Sequence, residues 1–207
     1  ENYLSTASIV KMCKRLGFDG YRELYYHLSR QLAASEKPTE ETLRRLIDNY
    51  SADLISRFCA LLHERRRGKI FTTGEGFSNI VGTYIMHRLA ICGFKAFNNV
   101  HFYDYMVFQE ARHGTMRDEA AVMFAISQSG ETEPVLNDVR HAKQHGHKIV
   151  TFTRRGDSTL AQLSDLVFVL DGTKQTLAGS LPNPFFGYVI LTFENLMARY
   201  FDQNESV

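Results

Sequence analysis

The feature that most constrains the fold of this chain is a regular alternation of short apolar runs with amphipathic stretches from Lys69 onward. The apolar runs have the length of strands and end in glycine, polar or charged residues; they occupy residues 69–73, 94–99, 120–126, 148–153 and 166–170. Helical patterns lie between and after them, at residues 79–91, 133–145, 158–163 and 184–200. Strands separated by helices predict an α/β fold, a three-layer αβα sandwich with a mostly parallel, doubly wound sheet.

The residues before Lys69 are predicted to be helical. In the first part, up to about residue 35, positions 9, 12, 13 and 16 are apolar and share one face of a helix that Gly17 ends. The segment at residues 36–39, which contains Pro38, predicts a hinge. Over residues 38–67 apolar residues recur at helical spacing, which predicts one long amphipathic helix.

Composition and charge limit the classes of protein to consider. The net charge of +1 gives by itself no argument for nucleic-acid binding. The three cysteines are scattered, which predicts reduced thiols, and the eight histidines show no metal-ligand spacing, so we expect neither metal nor cofactor. No signal peptide and no run of about 18 apolar residues is present, which favours a cytoplasmic protein without membrane contact. Because the chain starts at Glu1, we expect sequence to be missing upstream.

The residues after the 120–126 strand have the chemistry of an anion site. They read Ser-Gln-Ser-Gly-Glu-Thr at positions 127–132, and a helix follows from Pro134. A helix N-terminus offers unpaired backbone N–H groups and a positive dipole end, and the hydroxyls add neutral donors, so this turn can hold a phosphate. The alternative is a plain turn in which Ser129 or Thr132 caps the helix.

A second glycine-rich turn, Gly-Glu-Gly-Phe-Ser at positions 74–78, follows the first strand of the alternating section. It starts like a dinucleotide fingerprint, but the third glycine is absent because Asn79 stands there, and the chain has no Walker-type motif. Loops that follow neighbouring strands of a doubly wound sheet converge, so we expect Ser78 to face residues 127–132 across one ligand. A third polar turn contains Ser158, for which a helix cap is the favoured role.

This combination resembles the SIS (sugar isomerase) domain, a phosphosugar-binding fold, over most of residues 69–200. The resemblance rests on the two turns and on the Thr-x-x-x-Asp-Ser-x-Leu-Ala segment at positions 153–161. It implies that the hydroxyls of the second motif hold the phosphate of a phosphosugar and that its amide and glycine add contacts. The implied ligand-binding residues are Ser78, Ser127, Gln128, Ser129, Gly130 and Thr132.

Residues 4–18 and 20–24 resemble the end of an RpiR-type helix-turn-helix domain, which that family joins to a SIS domain. The resemblance implies a DNA-reading helix; its candidate contacts are Ser5, Thr6, Ser8, Lys11, Lys14 and Arg15. The alternative for the three basic residues is a solvated helix face. The family's opening helices are absent from this sequence, so we expect operator DNA to be bound by the complete parent protein.

The resemblance implies three parts: the C-terminal part of a helix-turn-helix domain at residues 1–36, a connecting helix at 37–67 and a SIS domain at 68–207. The predicted function is a sugar-phosphate-responsive transcriptional regulator, a homodimer or higher homo-oligomer that is not an enzyme. The alternative is a phosphosugar isomerase, which needs a base near the ligand. The candidates for that base are Glu75, Glu131, Glu110, His101 and His113.

Overall fold

The computed structural model describes residues 6–21, 23–24, 40–98, 121–171 and 183–204, with side chains from residue 10 onward. The chain divides into two compact units, Glu1–Thr39 and Glu40–Val207. The predicted boundaries at residues 36 and 67 stay a prediction. Among the described residues, no helix has the length and apolar character needed to cross a membrane.

The first unit contains helix α1, Thr6–Arg15. Gly17 ends this helix as predicted, with a φ of +89° that a residue with a side chain rarely adopts. Of the apolar face, Cys13 is fully buried, whereas Met12 and Leu16 are 44% and 58% exposed. The face predicted from the spacing is therefore only partly covered within the described residues of this unit.

The second unit contains a five-stranded sheet whose strands are all parallel. Its strands are β1 (Lys69–Gly74), β2 (Lys95–Asn98), β3 (Val122–Ile126), β4 (Lys148–Thr153) and β5 (Leu166–Val169). Their order across the sheet is β2-β1-β3-β4-β5. All five residues of β3 are buried, as expected of a central strand covered on both faces. The predicted α/β fold is confirmed.

Helices cover both faces of the sheet. They are α2 (Glu40–Leu46), α3 (Ala52–Glu64), α4 (Phe77–Ile91), α5 (Glu133–Gln144), α6 (Thr159–Leu163) and α7 (Phe185–Asn204). The larger core lies between the sheet and α2, α3, α4 and α7, and the smaller one between the sheet and α5 and α6. In the larger core Phe124 meets Phe58 of α3 and Phe193 of α7 edge to face, at centroid distances of 6.2 and 6.1 Å. These two layers fix the loops at the carboxyl ends of the strands.

The prediction of one long helix over residues 38–67 is wrong, because the chain breaks between α2 and α3. Asn49 leaves the helical path, and its side chain donates to the carbonyl of Val167 and accepts from the N–H of Val169, at 2.8 and 2.9 Å. The side chain of Ser51 then caps α3. Apolar spacing continued through the break, so the periodicity did not reveal it.

Candidate ligand-binding site

The two polar turns predicted from the sequence lie side by side in the fold. The strand order reverses between β1 and β3, because the chain proceeds from β1 to β2 on one side and from β3 to β4 and β5 on the other. Gly74 and Ile126 are register partners at the ends of β1 and β3. Residues 74–78, the β1 loop, and residues 127–132, the β3 loop, therefore leave the sheet next to each other. Open α/β sheets bind ligands at such a switch point.

The hydroxyls of the β3 loop are held by the loop itself. Ser127 is 2% exposed, its Oγ lies 2.9 Å from Oγ1 of Thr132, and it accepts the N–H of Gly130 at 3.1 Å. Ser129 Oγ accepts the N–H of Glu131 at 3.2 Å. The loop is thus ordered by its own bonds, and a ligand would find its donors already positioned.

Gly130 is the residue in the β3 loop that no other amino acid can replace without strain. Its φ is +69°, and an added Cβ would lie 2.1 Å from Oγ of Ser158 and 3.2 Å from Oγ1 of Thr153. Its carbonyl accepts the N–H of Leu160 at 3.0 Å, which ties the loop to α6. The close contact with Ser158 explains why glycine stands between the two serines and Thr132.

The β1 loop makes an equally tight turn. A Cβ on Gly74 would meet the backbone of Ser78 at 2.8 Å, so only glycine lets the loop fold back onto the start of α4. Gly76 has a φ of +57° and occupies the N-cap position of that helix. Ser78 lies in the first turn of α4 and is 6% exposed. The structure therefore brings Ser78 to the predicted edge of the sheet.

The two helices that follow the β1 and β3 loops lack a side-chain cap among the described residues. Gly76 offers no cap to α4, and Thr132 stands at the N-cap of α5 with its hydroxyl turned to Ser127. The capping alternative for Ser129 and Thr132 is therefore wrong. Ser158, by contrast, accepts the N–H of Ala161 and caps α6, as predicted. Uncapped helix N-termini present unsatisfied N–H groups and a partial positive charge.

The hydrogen bonding of Glu131 does not favour a role as a catalytic base. Its carboxylate accepts the N–H of Thr159 at 3.0 Å at the start of α6. That hydrogen bond holds the pKa of Glu131 below its ordinary value, so the side chain remains ionised and engaged. Glu75, in the β1 loop, is exposed. The other base candidates, Glu110, His101 and His113, lie outside the described residues.

The start of α7 joins this edge, which the sequence analysis did not foresee. Gln128 and Asn183 exchange two amide hydrogen bonds of 3.2 and 3.1 Å, so the Gln128 side chain contacts α7. Asn183 also accepts the N–H of Phe185 and thereby caps α7. Asn183 precedes Pro184, a dipeptide typical of a helix start, but nothing in the sequence links it to the β3 loop.

The candidate DNA contacts lie in the first unit. Lys11, Lys14 and Arg15 are exposed on α1. Lys14 and Arg15 are in its last turn, where a positive charge also favours the helix dipole. Ser5 and the side chains of Thr6 and Ser8 lie outside what the structure describes. The structure thus leaves the solvated-face alternative open for the basic residues.

Comparison with known families identifies the second unit. The family model of the SIS domain matches residues 62–192, more than half of the chain. The chain belongs to the SIS domain family. The model of the helix-turn-helix domain of the rpiR family matches residues 1–35, ahead of the SIS domain. With both matches, the chain has the domain content of an RpiR-type regulator.

Relatives of this SIS-domain chain include regulators and an enzyme. The transcriptional regulator RpiR of Escherichia coli K12 is 27% identical over 199 residues, 85% of this chain and 64% of that protein. The arabinose 5-phosphate isomerase KpsF of Escherichia coli CFT073 is 32% identical over 117 residues, 56% of this chain and 34% of that protein. The chain therefore spans less than two thirds of the length of either relative.

A solved structure supports the fold. The NanR protein of Vibrio vulnificus, complexed with ManNAc-6P, aligns with a TM-score of 0.62 and 23% identity over 98% of this chain and 76% of that one. At this identity the likeness shows the shared fold alone.

Proposed function

We propose that this chain is a sugar-phosphate-responsive transcriptional regulator whose SIS domain binds a phosphosugar between the β1 and β3 loops. The observation that carries the proposal is the meeting of two uncapped helix N-termini with the hydroxyls of Ser78, Ser127 and Thr132 where the strand order reverses. Backbone N–H groups and hydroxyls at such a point suit a phosphate. RpiR is named a transcriptional regulator, and NanR was solved with a phosphosugar, which is consistent with this proposal.

The residue roles follow from the geometry of the β3 loop. The N–H groups at the start of α5 and the hydroxyls of Ser129 and Thr132 hold the phosphate. Ser127 adds its hydroxyl to this group and also keeps the loop in shape through its bond to Gly130. Gln128 contributes its backbone and fixes the start of α7 through Asn183. Each charge-assisted hydrogen bond to the phosphate contributes about 1.5–3 kcal/mol.

A thermal-shift screen of phosphosugars tests the site. The variant Ser129→Asp places a negative charge against the anion and is expected to abolish the stabilisation that the best compound gives the unaltered protein. Asn137→Asp adds the same charge on an exposed turn of α5 and is expected to keep that stabilisation. Equal stabilisation of both variants would place the ligand elsewhere.

The alternative function, phosphosugar isomerisation, is favoured by the likeness to KpsF. It requires a base that moves a proton between adjacent carbons. In the described part of the chain, Glu131 is the candidate base in the β3 loop, and its carboxylate accepts the N–H of Thr159. Incubation with a panel of aldose and ketose phosphates decides between the two. Turnover of a sugar phosphate that disappears in Glu131→Gln would show that the protein is an isomerase and would overturn the regulator proposal.

DNA binding is proposed for α1, with Lys11, Lys14 and Arg15 as phosphate contacts. Each contact to a DNA phosphate gives a slope of about −0.9 in a plot of log affinity against log salt. Lys11→Ala in the full-length protein is expected to weaken operator binding and to reduce that slope by about one contact. Lys95→Ala removes an exposed charge from β2 and serves as the control. An unchanged slope would remove Lys11 from the interface.

The proposed homo-oligomer has a surface on α4. This helix is apolar on two sides: one side packs in the larger core, and the other leaves Ile80 and Ile91 64% and 78% exposed. Exposed apolar faces of this kind mark interaction sites, and a second copy of the chain is the partner we propose. Ile80→Glu is expected to give a monomer in sedimentation experiments, whereas Arg140→Glu on α5 should leave the assembly unchanged. A dimer that survives Ile80→Glu would exclude this face.

In this proposal the effector acts by binding two arrangements of the oligomer with different free energy. The ligand site and the exposed face share helix α4, which begins beside Ser78 and continues past Ile80. Binding of a phosphosugar can therefore bias subunit packing through one element. Sedimentation with and without the best phosphosugar measures this coupling.

A further inference from the structure

Arg154 is the first residue after β4, and one nitrogen of its side chain is unpaired among the described residues. The side chain is partly buried, and its Nε is fully buried with no hydrogen-bond partner among the described residues. A buried donor on a charged group is destabilising unless an acceptor pairs with it. The position of Arg154 at the carboxyl end of the sheet therefore indicates that a ligand supplies the acceptor.

The next residue, Arg155, differs from Arg154 in its side-chain hydrogen bonds. Arg155 is exposed, and its Nε and Nη2 both donate to the carboxylate of Asp157 at 3.1 Å. Two consecutive arginines thus have opposite roles. Arg155 is paired with Asp157 within its own turn, whereas the buried Nε–H of Arg154 has no acceptor among the described residues.

Arg154 is directly attached to the β3 loop, since its backbone N–H donates to the carbonyl of Gln128 at 3.2 Å. Along β4 the side chains alternate: Phe152 lies in the core beneath α7, and Thr153 lies on the opposite face, against Gly130. Arg154 stands one residue beyond the end of β4, beside the β3 loop, whose Gln128 side chain bonds to Asn183 at the start of α7.

We propose that Arg154 is a specificity-determining residue that binds a carboxylate at the end of the effector remote from the phosphate. This inference rests on the proposed function, and it names the effector class as a phosphorylated sugar acid. Neutral hydroxyls and N–H groups already serve the phosphate, whereas the buried, unpaired Nε–H of the charged Arg154 side chain is best matched by an anionic acceptor. The planar fork of arginine matches a carboxylate through two parallel hydrogen bonds.

The experiment compares compounds that differ in one group. The unaltered full chain is titrated with glucose 6-phosphate and with 6-phosphogluconate, which has the same carbon chain with C1 oxidised to a carboxylate. The five-carbon pair, ribose 5-phosphate and its aldonic acid, follows. The acid of a pair is expected to bind on the order of tenfold more tightly than its parent sugar phosphate. The same titrations are made on Arg154→Gln, Arg154→Lys and the control Arg155→Gln.

Arg154→Gln is expected to lose the preference for the acid while its affinity for the sugar phosphate stays within about twofold. Arg154→Lys keeps the charge without the fork, so it should retain part of the preference, and it carries the test if the glutamine variant is poorly folded. Arg155→Gln should behave like the unaltered chain.

The outcomes separate this inference from the proposed function. If the unaltered chain binds sugar phosphates without preferring the acids, or if Arg154→Gln keeps the preference, the Arg154 assignment is overturned and the proposed function stands. An equal loss for both compounds of a pair moves Arg154 to the phosphate and also overturns the assignment. If neither compound of either pair binds, and the phosphosugar screen is also negative, the proposed function itself fails.

Discussion

The helices of the second unit begin in two different ways, and the difference separates helix ends that a side chain caps from helix ends that none caps. Helices α3 and α6 start with Ser51 and Ser158, whose side chains accept a backbone N–H of the first turn. Helices α4 and α5 start at Gly76 and Thr132, and no side chain in the described residues caps them. At a capped end a side chain accepts a backbone N–H of the first turn. At an uncapped end, which we call open, these N–H groups remain available to an anion. Both open ends lie where the strand order reverses.

The largest effect is expected from a methyl group added to the β3 loop. Gly130→Ala combines a strained φ with a clash against Ser158 and should lower the free energy of unfolding by about 2–5 kcal/mol. Gly146→Ala is the matched control, because Gly146 also has a positive φ, +76°, but nothing lies within 4 Å of its added Cβ. Its loss should be about 1–2 kcal/mol. Equal losses in urea unfolding would contradict the close packing described for Gly130.

Two variants that each remove one hydroxyl group test the contrast between capped and open helix ends. Ser51→Ala removes a cap and should cost about 1 kcal/mol of stability, while the thermal shift with a phosphosugar remains. Thr132→Ala removes a bond to Ser127 that contributes about 0.5–1.5 kcal/mol and should reduce the thermal shift strongly. Urea unfolding and thermal-shift titration of both variants measure the two quantities. A thermal shift lost in Ser51→Ala and kept in Thr132→Ala would reverse the assignment of the two ends.

The smallest effect is expected from pH, through Glu131. Its pKa is lowered in the folded state by the N–H of Thr159, so the ionised form stabilises the fold. This contribution is present above the unfolded pKa of about 4.3 and is lost as the pH falls through the lower folded pKa. The melting temperature of the unaltered chain should exceed that of Glu131→Gln above about pH 5, and the difference should shrink as the pH falls below the unfolded pKa.

Glu75→Gln controls for the change in charge, since Glu75 is exposed in the β1 loop. A difference between Glu131→Gln and the unaltered chain that persists at low pH would show that the carboxylate is not the cause.

The sequence analysis predicted the sheet and its helices because each apolar run was bounded by turn residues. It also predicted that Ser78 and the β3 loop would share an edge, since that follows from the topology alone. It did not predict the break after α2, because Asn49 interrupts the helix through a partner more than a hundred residues away in the sequence. The Gln128–Asn183 contact was missed for the same reason. Local patterns carry no record of long-range partners.

The segment between α2 and α3 also affects how the protein behaves in concentrated solution. β5 is the last strand of the sheet, and an outer strand presents a row of backbone groups on which a foreign strand can grow. Here Ile47 forms an antiparallel bridge with Leu170, Asp48 donates to the carbonyl of Val169 at 2.8 Å, and Asn49 occupies further groups of the strand. The segment between α2 and α3 therefore protects this edge of the sheet from edge-to-edge aggregation.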